Sequence, residues 1–545
     1  MKYTILLLGA LLMGLQQINA QNYFWIGFTD KNNSEYSLEH PESYLSERAI
    51  QRRINQNIPI DSLDLPVNKN YIDSVLTLNV EFVHASKWLN GITVRSDSAN
   101  LKDSIISWDF IREAQLTKPT VLLKSAFNKF KEEGSYDIST IDTSVYGGSV
   151  HQVGMMEGQF LHDNGFRGQN FHIAVLDAGF NNADNLPAFD SLWANNQILG
   201  IKDFVNPGSD FFSTDSHGMS VLSCMGGNIP GELIGTAPKA SYWLLRSEDN
   251  NSEYIIEEDN WVVAAEFADS VGVDIINSSL GYTEFDDDST NHVYADMDGN
   301  TTRVTRGANI AASRGMLVFS SAGNERDDSW FRIVAPSDGK NVIGVGAVDK
   351  DLNPAYFTSA GPAADGDLKP NVSAMGYMTI VQRSNGTISA ANGTSFSSPI
   401  LAGMAASLWQ AYPGKTAEEI KNAIEESGHL YNSPDSLQGY GVPNMRTASA
   451  ILDLSSVKNF EQTTNWFIYP NPVQDYIVLK RKQSMPDENL EIKMFTIDGR
   501  MVRNWRKLNT STIELNDVQD IRPGIYLLLL QTKDGIETFK INKVE

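Results

Sequence analysis

A continuous apolar run occupies residues 400–408, where one Gly and one Ser interrupt Ile, Leu, Ala and Met. Because no polar face repeats at a helical spacing, the run predicts a helix that is buried on nearly all sides. Residues 393–399 (GTSFSSP) come directly before it, and Pro399 suits the first turn of a helix, where its missing N–H is not needed. Ser395 is then expected just ahead of the helix N-terminus, where free N–H groups and the helix dipole favour a developing oxyanion. A Ser/Thr-rich helix cap is the alternative for this segment taken alone.

Short apolar runs upstream predict buried parallel strands that end in polar residues. They lie at residues 172–176, 274–277 and 316–319, with helical patterns between them at residues 261–271 and 304–314. This strand–helix alternation predicts a doubly wound parallel α/β sheet. Such sheets place their sites at the carboxyl ends of the strands.

The two ends of the chain have different patterns. Residues 21–118 predict a small α+β unit, and the polar residues 119–146 predict a linker. The expected strands of that unit lie at residues 23–28, 80–84, 88–94 and 108–111, and the expected helices at 45–54, 71–78 and 100–106. Residues 466–545 show alternating strands and turns, at 498–499 and 534–535 among others, which predict a small all-β sandwich.

The first twenty residues have the shape of a secretory signal peptide. Lys2 precedes an apolar block, and small residues lead to Ala20. A short membrane anchor is the alternative, but the block is shorter than the ~20 apolar residues that a span requires. No other segment predicts a transmembrane span, so we expect export, with residues 1–20 removed.

Composition narrows the class of protein. The 545 residues, of which 41% are hydrophobic, predict two to four globular domains. A formal net charge of −24 argues against nucleic acid as a partner and suits a soluble protein outside the cell. The single cysteine, Cys224, excludes an internal disulfide framework, and we expect it to pack in the core and not to act as a nucleophile.

Three polar residues at the predicted strand ends and helix starts have the side chains that nucleophilic catalysis requires. Asp177 ends the first strand of the sheet, His217 precedes a small and apolar run, and Ser395 precedes the buried helix. Serine becomes a good nucleophile when a base takes its proton, and a carboxylate holds that base in the required tautomer. Each residue alone has an ordinary structural explanation, but together they supply an acid, a base and a nucleophile.

The region 147–455 therefore resembles the subtilisin-like serine proteases (subtilases), which have this chain order of Asp, His and Ser. Ala178 stands where that family usually has Ser or Thr, and Met219 stands where it usually has Thr. Both residues flank the acid and the base without replacing them. The motifs that carry the resemblance are residues 174–179 (AVLDAG), 216–221 (SHGMSV) and 393–399.

The resemblance implies a serine endopeptidase with Asp177 as the orienting acid, His217 as the general base and Ser395 as the nucleophile. It implies that the side chain of Asn324 completes the oxyanion hole. The residues implied to bind the substrate are Ser279, Leu280, Gly281, Ala322 and Gly323.

Both flanking units have weaker resemblances. Residues 21–118 resemble the ferredoxin-like inhibitory propeptide of these proteases, mainly through residues 88–94. Residues 466–545 resemble the sorting domain of the Bacteroidetes type IX secretion system, through the motifs 469–472 (YPNP), 498–500 (DGR) and 523–526 (PGIY). A carbohydrate-binding β-sandwich is the alternative for this last unit.

The sequence as a whole predicts a protease precursor that is secreted or attached to the cell surface. Its expected partners are peptide or protein substrates, its own propeptide and the type IX secretion machinery, and it requires no cofactor or metal. Residues 286–288 and 296–300 could bind structural calcium, although solvated acidic loops would have the same composition.

An inactive subtilase-fold binding protein at the cell surface is the alternative function, but it would have no need to keep all three catalytic residues and Asn324. A lipase or esterase would instead require a Gly-x-Ser-x-Gly elbow and the order Ser, Asp, His, which this chain lacks.

Overall fold

A computed structural model describes residues 22–120, 145–458, 466–481, 489–496, 500–508, 511–532 and 535–544. The expected signal peptide and most of the expected linker lie outside these ranges. The chain forms two compact units, one of residues up to Lys421 together with Gly428–Val442, and one of Asn422–Ser427 together with the residues from Pro443 onward.

The first unit begins with a four-stranded antiparallel sheet in the order β2-β3-β1-β4, which confirms the ferredoxin-like prediction. Ser46 caps the first helix, and its Oγ accepts the N–H of Ala49 at 3.2 Å. The elements in chain order are β1 (Asn22–Phe28), α1 (Glu47–Asn55), α2 (Lys69–Leu76), β2 (Glu81–Ser86), β3 (Gly91–Ser96), α3 (Leu101–Ile105) and β4 (Ile111–Lys118).

The prediction of a last strand at residues 108–111 is wrong, because β4 starts where that segment ends. Trp108 and Phe110 instead pack as aromatic neighbours in the turn before β4, with ring centroids 5.4 Å apart. The strand itself is mostly polar because it lies at the edge of the sheet, beside β1, with only Ile111 and Thr117 fully buried.

A seven-stranded sheet forms the centre of the rest of the first unit, which also contains two short two-stranded sheets. Its order is β13-β12-β11-β10-β5-β9-β6, and all its neighbouring strands are parallel, which confirms the doubly wound prediction. The elements are α4 (Val150–Gly154), α5 (Gln159–Asp163), β5 (His172–Asp177), α6 (Asp190–Ala194), β6 (Ile198–Asp203), α7 (His217–Gly226), β7 (Asn228–Ile229), β8 (Leu233–Ile234), β9 (Ser241–Arg246), α8 (Ile256–Val271), β10 (Ile275–Ser278), α9 (Arg303–Ser313), β11 (Leu317–Ser321), β12 (Ile343–Val348), β13 (Val372–Met375), β14 (Thr379–Gln382), β15 (Ile388–Ala391) and α10 (Thr394–Ala411).

Further helical segments complete this list. The helices α11 (Ala417–Glu426) and α12 (Met445–Lys458) follow α10 in the chain. Short 3-10 turns lie at Pro41–Ser43, Pro187–Phe189, Phe211–Ser213, Asp288–Thr290 and Tyr294–Asp296.

The helix α10 is buried from Thr394 to Trp409, as its apolar sequence predicts. Its start differs from the prediction, because the helix begins at Thr394 and Pro399 lies inside it. An interior proline leaves the carbonyl four residues earlier, that of Ser395, without its usual helical donor. The hydroxyl of Ser279 donates to that carbonyl at 2.8 Å. This contact from outside the helix allows α10 to begin at Thr394, about one turn before the predicted start near Pro399.

Buried charges join the four-stranded sheet domain to the seven-stranded sheet domain. The carboxylate of Asp269, on α8, accepts from Arg52 at 2.5 Å, from Arg53 at 2.9 Å and from Lys87 at 2.9 Å. Burial alone would raise the pKa of Asp269, but the three cations outweigh it and lower that pKa to about 2. Glu266, one turn earlier, accepts the N–H groups at the end of β2, those of Lys87 at 2.8 Å and Trp88 at 2.9 Å.

A neutral histidine lies in the same interface. His84 of β2 is buried, and its Nε2 lies 3.0 Å from Oδ1 of Asn260 on α8. Burial lowers the pKa of His84 to about 4, and the contact with Asn260 opposes that shift only in part. Protonation of His84 would therefore place an uncompensated charge between the two domains.

The second unit contains two antiparallel sheets, in the orders β16-β17-β20 and β19-β18-β21-β22, which confirms the all-β prediction. Side chains from both sheets form one core, including Trp466, Leu479, Ile492 and Leu528. The strands are β16 (Trp466–Tyr469), β17 (Ile477–Arg481), β18 (Asn489–Thr496), β19 (Met501–Leu508), β20 (Thr512–Leu515), β21 (Gly524–Thr532) and β22 (Gly535–Lys543). Among the residues that the structure describes, none of the helices is long and apolar enough to cross a membrane.

Replacing Asp269 with Asn is expected to lower the free energy of unfolding by about 3–5 kcal/mol, because Arg52 and Lys87 lose the charge that faces them. Urea unfolding of the Ser395→Ala chain, in which self-cleavage is prevented, measures this. The control is Asp73→Asn, which breaks an exposed pair with Lys69 and should leave the unfolding free energy nearly unchanged. Equal effects of the two changes would contradict the inference that Asp269 compensates the buried charges of Arg52 and Lys87.

Acidification is expected to destabilise the domain interface through His84. Its pKa is lower in the folded chain than in the unfolded chain, so the unfolded chain takes up the proton first and stability falls as the pH drops from about 6.5 to about 4. The full loss from this one residue is about 3 kcal/mol. The unfolding free energy of His84→Gln, measured over the same range, should fall less steeply; parallel curves would exclude this role.

Candidate active site

The strand order reverses at β5, because the chain places β9 on one side of it and β10 on the other. Crevices at such reversals are where open α/β sheets bind ligands. Asp177 is the last residue of β5, and it is completely buried. The carboxylate therefore lies at the bottom of the crevice, away from water.

Asp177 and His217 form a close pair. Nδ1 of His217 donates to Oδ1 of Asp177 at 2.7 Å, and the N–H of Ala178 donates to the same oxygen at 2.8 Å. Burial raises the pKa of the Asp177 carboxyl, while the imidazole and these donors oppose that shift. Nδ1 is therefore the ring nitrogen of His217 that the Asp177 carboxylate binds.

His217 is fixed by its backbone as well as by its ring. It is the first residue of α7, and its N–H donates to Oδ1 of Asp215 at 2.7 Å. The ring packs beside that of Phe396, with centroids 6.1 Å apart. Asp215 was not predicted as a site residue, although its position two residues before His217 is typical of a side chain that caps a helix start.

Ser395 lies in the first turn of α10, and a chain of polar contacts holds it. Its Oγ lies 3.3 Å from the carbonyl oxygen of Ser279, while the Ser279 hydroxyl donates to the Ser395 carbonyl. Behind them, Nδ2 of Asn277 donates to Oγ of Ser279 at 3.1 Å, and Oγ of Ser398 donates to Oδ1 of Asn277 at 2.8 Å. These bonds tie the end of β10 to the start of α10.

Asn324 is oriented by Thr394. Both the N–H and the hydroxyl of Thr394 donate to Oδ1 of Asn324 at 2.9 Å. Because Oδ1 accepts two hydrogen bonds, the hydrogen-bond network assigns the other end of the amide, Nδ2, to the donor role. Gly323 has a φ of +106°, and its N–H donates to the Thr394 hydroxyl at 3.2 Å, so this segment and the start of α10 hold each other.

One cleft brings most of the predicted site residues together. His217, Ser279, Leu280, Gly281, Gly323, Asn324 and Ser395 all line it. Asp177 and Ala322 are not among its lining residues: Asp177 is buried against His217, and Ala322 is buried, its N–H donating to the carbonyl of Val345 and its carbonyl accepting the N–H of Val334. The catalytic and substrate-binding roles of these residues stay predictions.

The cleft also contains residues that the sequence did not single out. Glu248 and Glu253 come from the loop after β9, and Glu284 and Glu325 follow the segments 279–281 and 322–324. The apolar run at residues 242–245 could have revealed β9 and its loop. Which residues of that loop face the cleft depends on the fold.

The two acidic segments named as possible calcium loops bond to their own turns. Oδ1 of Asp298 accepts the N–H groups of Asn300 and Thr301, both at 2.8 Å, and Oδ1 of Asp287 accepts that of Ser289 at 3.1 Å. Calcium binding by these segments stays a prediction. Cys224 is buried within α7, and burial raises the pKa of its thiol, which is unfavourable for a thiolate nucleophile.

Comparisons with protein families identify three parts of the chain. A family model described as the subtilase family matches residues 168–441, half of the chain. A model of the peptidase S8 propeptide domain of Bacteroidota matches residues 23–133, and a model of the secretion system C-terminal sorting domain matches residues 467–543.

Individual proteins are similar to the same region. Subtilisin E of Bacillus subtilis (strain 168) is 27% identical over 311 residues, which are 56% of this chain and 72% of that protein. Serine protease AprX of the same organism is 27% identical over 346 residues, 58% of this chain and 71% of its own length. The crystal structure of MycP1 from Mycobacterium smegmatis aligns with a TM-score of 0.44 at 18% identity, over 58% of this chain and 87% of that one.

Proposed function

Because the chain belongs to the subtilase family of serine proteases, we propose that it is an endopeptidase that cleaves peptide bonds through Asp177, His217 and Ser395. The observation that carries the proposal is the buried pair of Asp177 and His217, 2.7 Å apart, beside a cleft that both His217 and Ser395 line. An inactive binding protein would gain nothing from this buried pair.

Each residue has a role in acyl transfer. The Ser395 hydroxyl attacks the peptide carbonyl and gives its proton to Nε2 of His217, which then protonates the leaving amine. Asp177 accepts the Nδ1–H, so it holds the imidazole in the tautomer that exposes a basic Nε2 and stabilises the imidazolium. Water, deprotonated by His217, then hydrolyses the ester on Ser395. No cofactor is required for these steps.

The oxyanion of the tetrahedral intermediate needs donors that are already in place. We assign this role to Nδ2 of Asn324 and to the N–H of Ser395, in the first turn of α10, where N–H groups have no partner within the helix. Thr394 supports the assignment because its two bonds to Oδ1 prevent the Asn324 amide from turning over. Leu280 and Gly281, at the edge of the cleft, are proposed to pair with the substrate backbone, together with Ser279 and Gly323.

The flanking domains set where and when the protease works. The chain carries a propeptide domain and a secretion sorting domain, which support a precursor that is secreted or attached to the cell surface. We propose that the propeptide domain holds the protease inactive until export, and that the first bond to be cut lies at residues 117–146.

Ser395→Ala tests the function and the maturation together. The variant should remain a full-length chain, less any signal peptide, while the unchanged protein should give two fragments that stay associated. Mass spectrometry of both proteins, purified without other proteases, measures the masses. Cleavage of the variant within residues 117–146 would show that another protease matures the chain. Undiminished hydrolysis of a peptide amide by the purified variant would exclude Ser395 as the nucleophile.

Asn324→Ala is expected to lower kcat by about 10²–10³ and to leave KM nearly unchanged, because the lost hydrogen bond forms mainly in the transition state. The magnitude is the one found when such a donor is removed from subtilisin. Steady-state kinetics on one peptide amide measures both constants. A loss expressed mainly in KM would instead make Asn324 a residue that positions the substrate.

A further inference from the structure

The charge of the cleft is one-sided. Glu248, Glu253, Glu284 and Glu325 line it together with His217 and Ser395, and none of the described residues that line it is Lys or Arg. Four carboxylates and no Lys or Arg among these described residues make the wall of the cleft negatively charged. A substrate that fills this cleft brings its side chains beside carboxylates.

The deepest of these carboxylates are shielded from water. Glu248 is 0% exposed and Glu253 is 7% exposed, and their oxygens lie within 4.8 Å of each other and of a Glu257 oxygen. The hydroxyl of Tyr282 donates to Glu248, and burial together with the three carboxylates holds the pKa of Tyr282 well above its usual range. A bound peptide displaces more water from the cleft, so the charge of a substrate side chain beside these carboxylates is less screened.

The loop that carries Glu248 and Glu253 already contacts one lysine of this chain. Nζ of Lys118, the last residue of β4, lies 3.3 Å from a carboxylate oxygen of Asp249 and 3.0 Å from the hydroxyl of Ser252. It also lies 5.5 Å from the centre of the Tyr254 ring, close enough for a cation–π contact. Lys118 ends the last strand of the propeptide domain and lies at the start of the proposed cleavage range, residues 117–146, so this loop already binds one cation of the chain.

We propose that Glu248 and Glu253 form a subsite that selects substrates with a Lys or Arg side chain close to the scissile bond. The proposal rests on the proposed peptidase function and adds a substrate class to it: basic peptides. A basic side chain reaching these carboxylates would form a partly desolvated ion pair. The carboxylates would repel an acidic side chain. A neutral side chain would displace water from the carboxylates and form no ion pair with them.

The first measurement uses the unchanged, mature protein. A positional peptide library locates the preferred residues, and a matched pair of peptides then carries either Lys or norleucine at the best position, since the two share an aliphatic stem. We expect kcat/KM to be at least about tenfold higher for the Lys peptide, which is the effect of roughly one favourable charge pair. Equal rates for the two peptides, or a library preference for acidic or apolar residues at every position, overturn the proposal.

The second measurement assigns the preference to the subsite. Glu253→Gln and Glu248→Gln should each reduce the ratio of Lys to norleucine rates to about threefold or less. The control is Glu418→Gln, an exposed residue outside the cleft, which should keep the full ratio. If the buried variants fail to fold, Glu284→Gln at the exposed rim should still lower the ratio. An undiminished ratio in every folded variant overturns the assignment.

Two further outcomes separate this proposal from others. If chelation with EDTA abolishes cleavage of both peptides, added calcium restores it, and Glu253→Gln removes the dependence on calcium, then the cluster is a metal site and the subsite proposal is wrong. If neither peptide nor any library member is cleaved, the proposed peptidase function itself fails. Cleavage of both peptides at one rate refutes only the selection of basic residues.

Discussion

The reversal of strand order at β5 is the constraint on which the candidate site depends. The chain leaves β5 toward β6 on one side and later passes from β9 across β5 to β10 on the other, and at such a reversal a crevice forms at the carboxyl ends of the strands. Asp177 ends β5 in this crevice, and α7 begins at His217 beside it. Because a sheet and a buried helix carry the two side chains, their 2.7 Å contact is held by the core of the domain and not by a mobile loop.

The position of Ser395 depends on a hydrogen bond from outside α10 that replaces one missing inside the helix. Pro399 removes one bond inside α10, and the Ser279 hydroxyl from the end of β10 supplies another to the same carbonyl. This contact fixes the first turn of α10 against the sheet. It also places the proposed nucleophile beside the segment that is expected to pair with the substrate, so the attack geometry and the binding geometry share one support.

The interface of the propeptide domain combines apolar contacts with buried charge. Trp25, Trp88 and Leu89 pack into the same core cluster as Trp261 of α8, while Asp269 and Glu266 on that helix accept from the end of β2 and from α1. Buried ion pairs add little net stability compared with apolar contacts, but they penalise any arrangement that leaves one partner alone. They therefore favour the docking geometry in which all of these charges are paired.

The sequence by itself determined the fold class, the family and the three proposed catalytic residues, because local motifs at strand ends and helix starts carry that information. Asp177, His217 and Ser395 each lie within a short run whose spacing is set by one element. The burial of α10 could also be predicted from local sequence, since residues 400–408 have no polar face at any helical spacing.

Only the tertiary structure decided the features that depend on contacts between distant segments. The early start of α10 requires the Ser279 hydroxyl, which lies 116 residues away in sequence. The strand β4 is recognisable only from its pairing with β1, because an edge strand keeps few apolar positions. The carboxylates of Glu248 and Glu253 belong to a polar loop with no distinguishing motif, and the folding of β9 beside β5 brings that loop to the cleft. Hydrophobic periodicity records which face of an element is buried, but it does not record which polar groups are brought together when the elements pack.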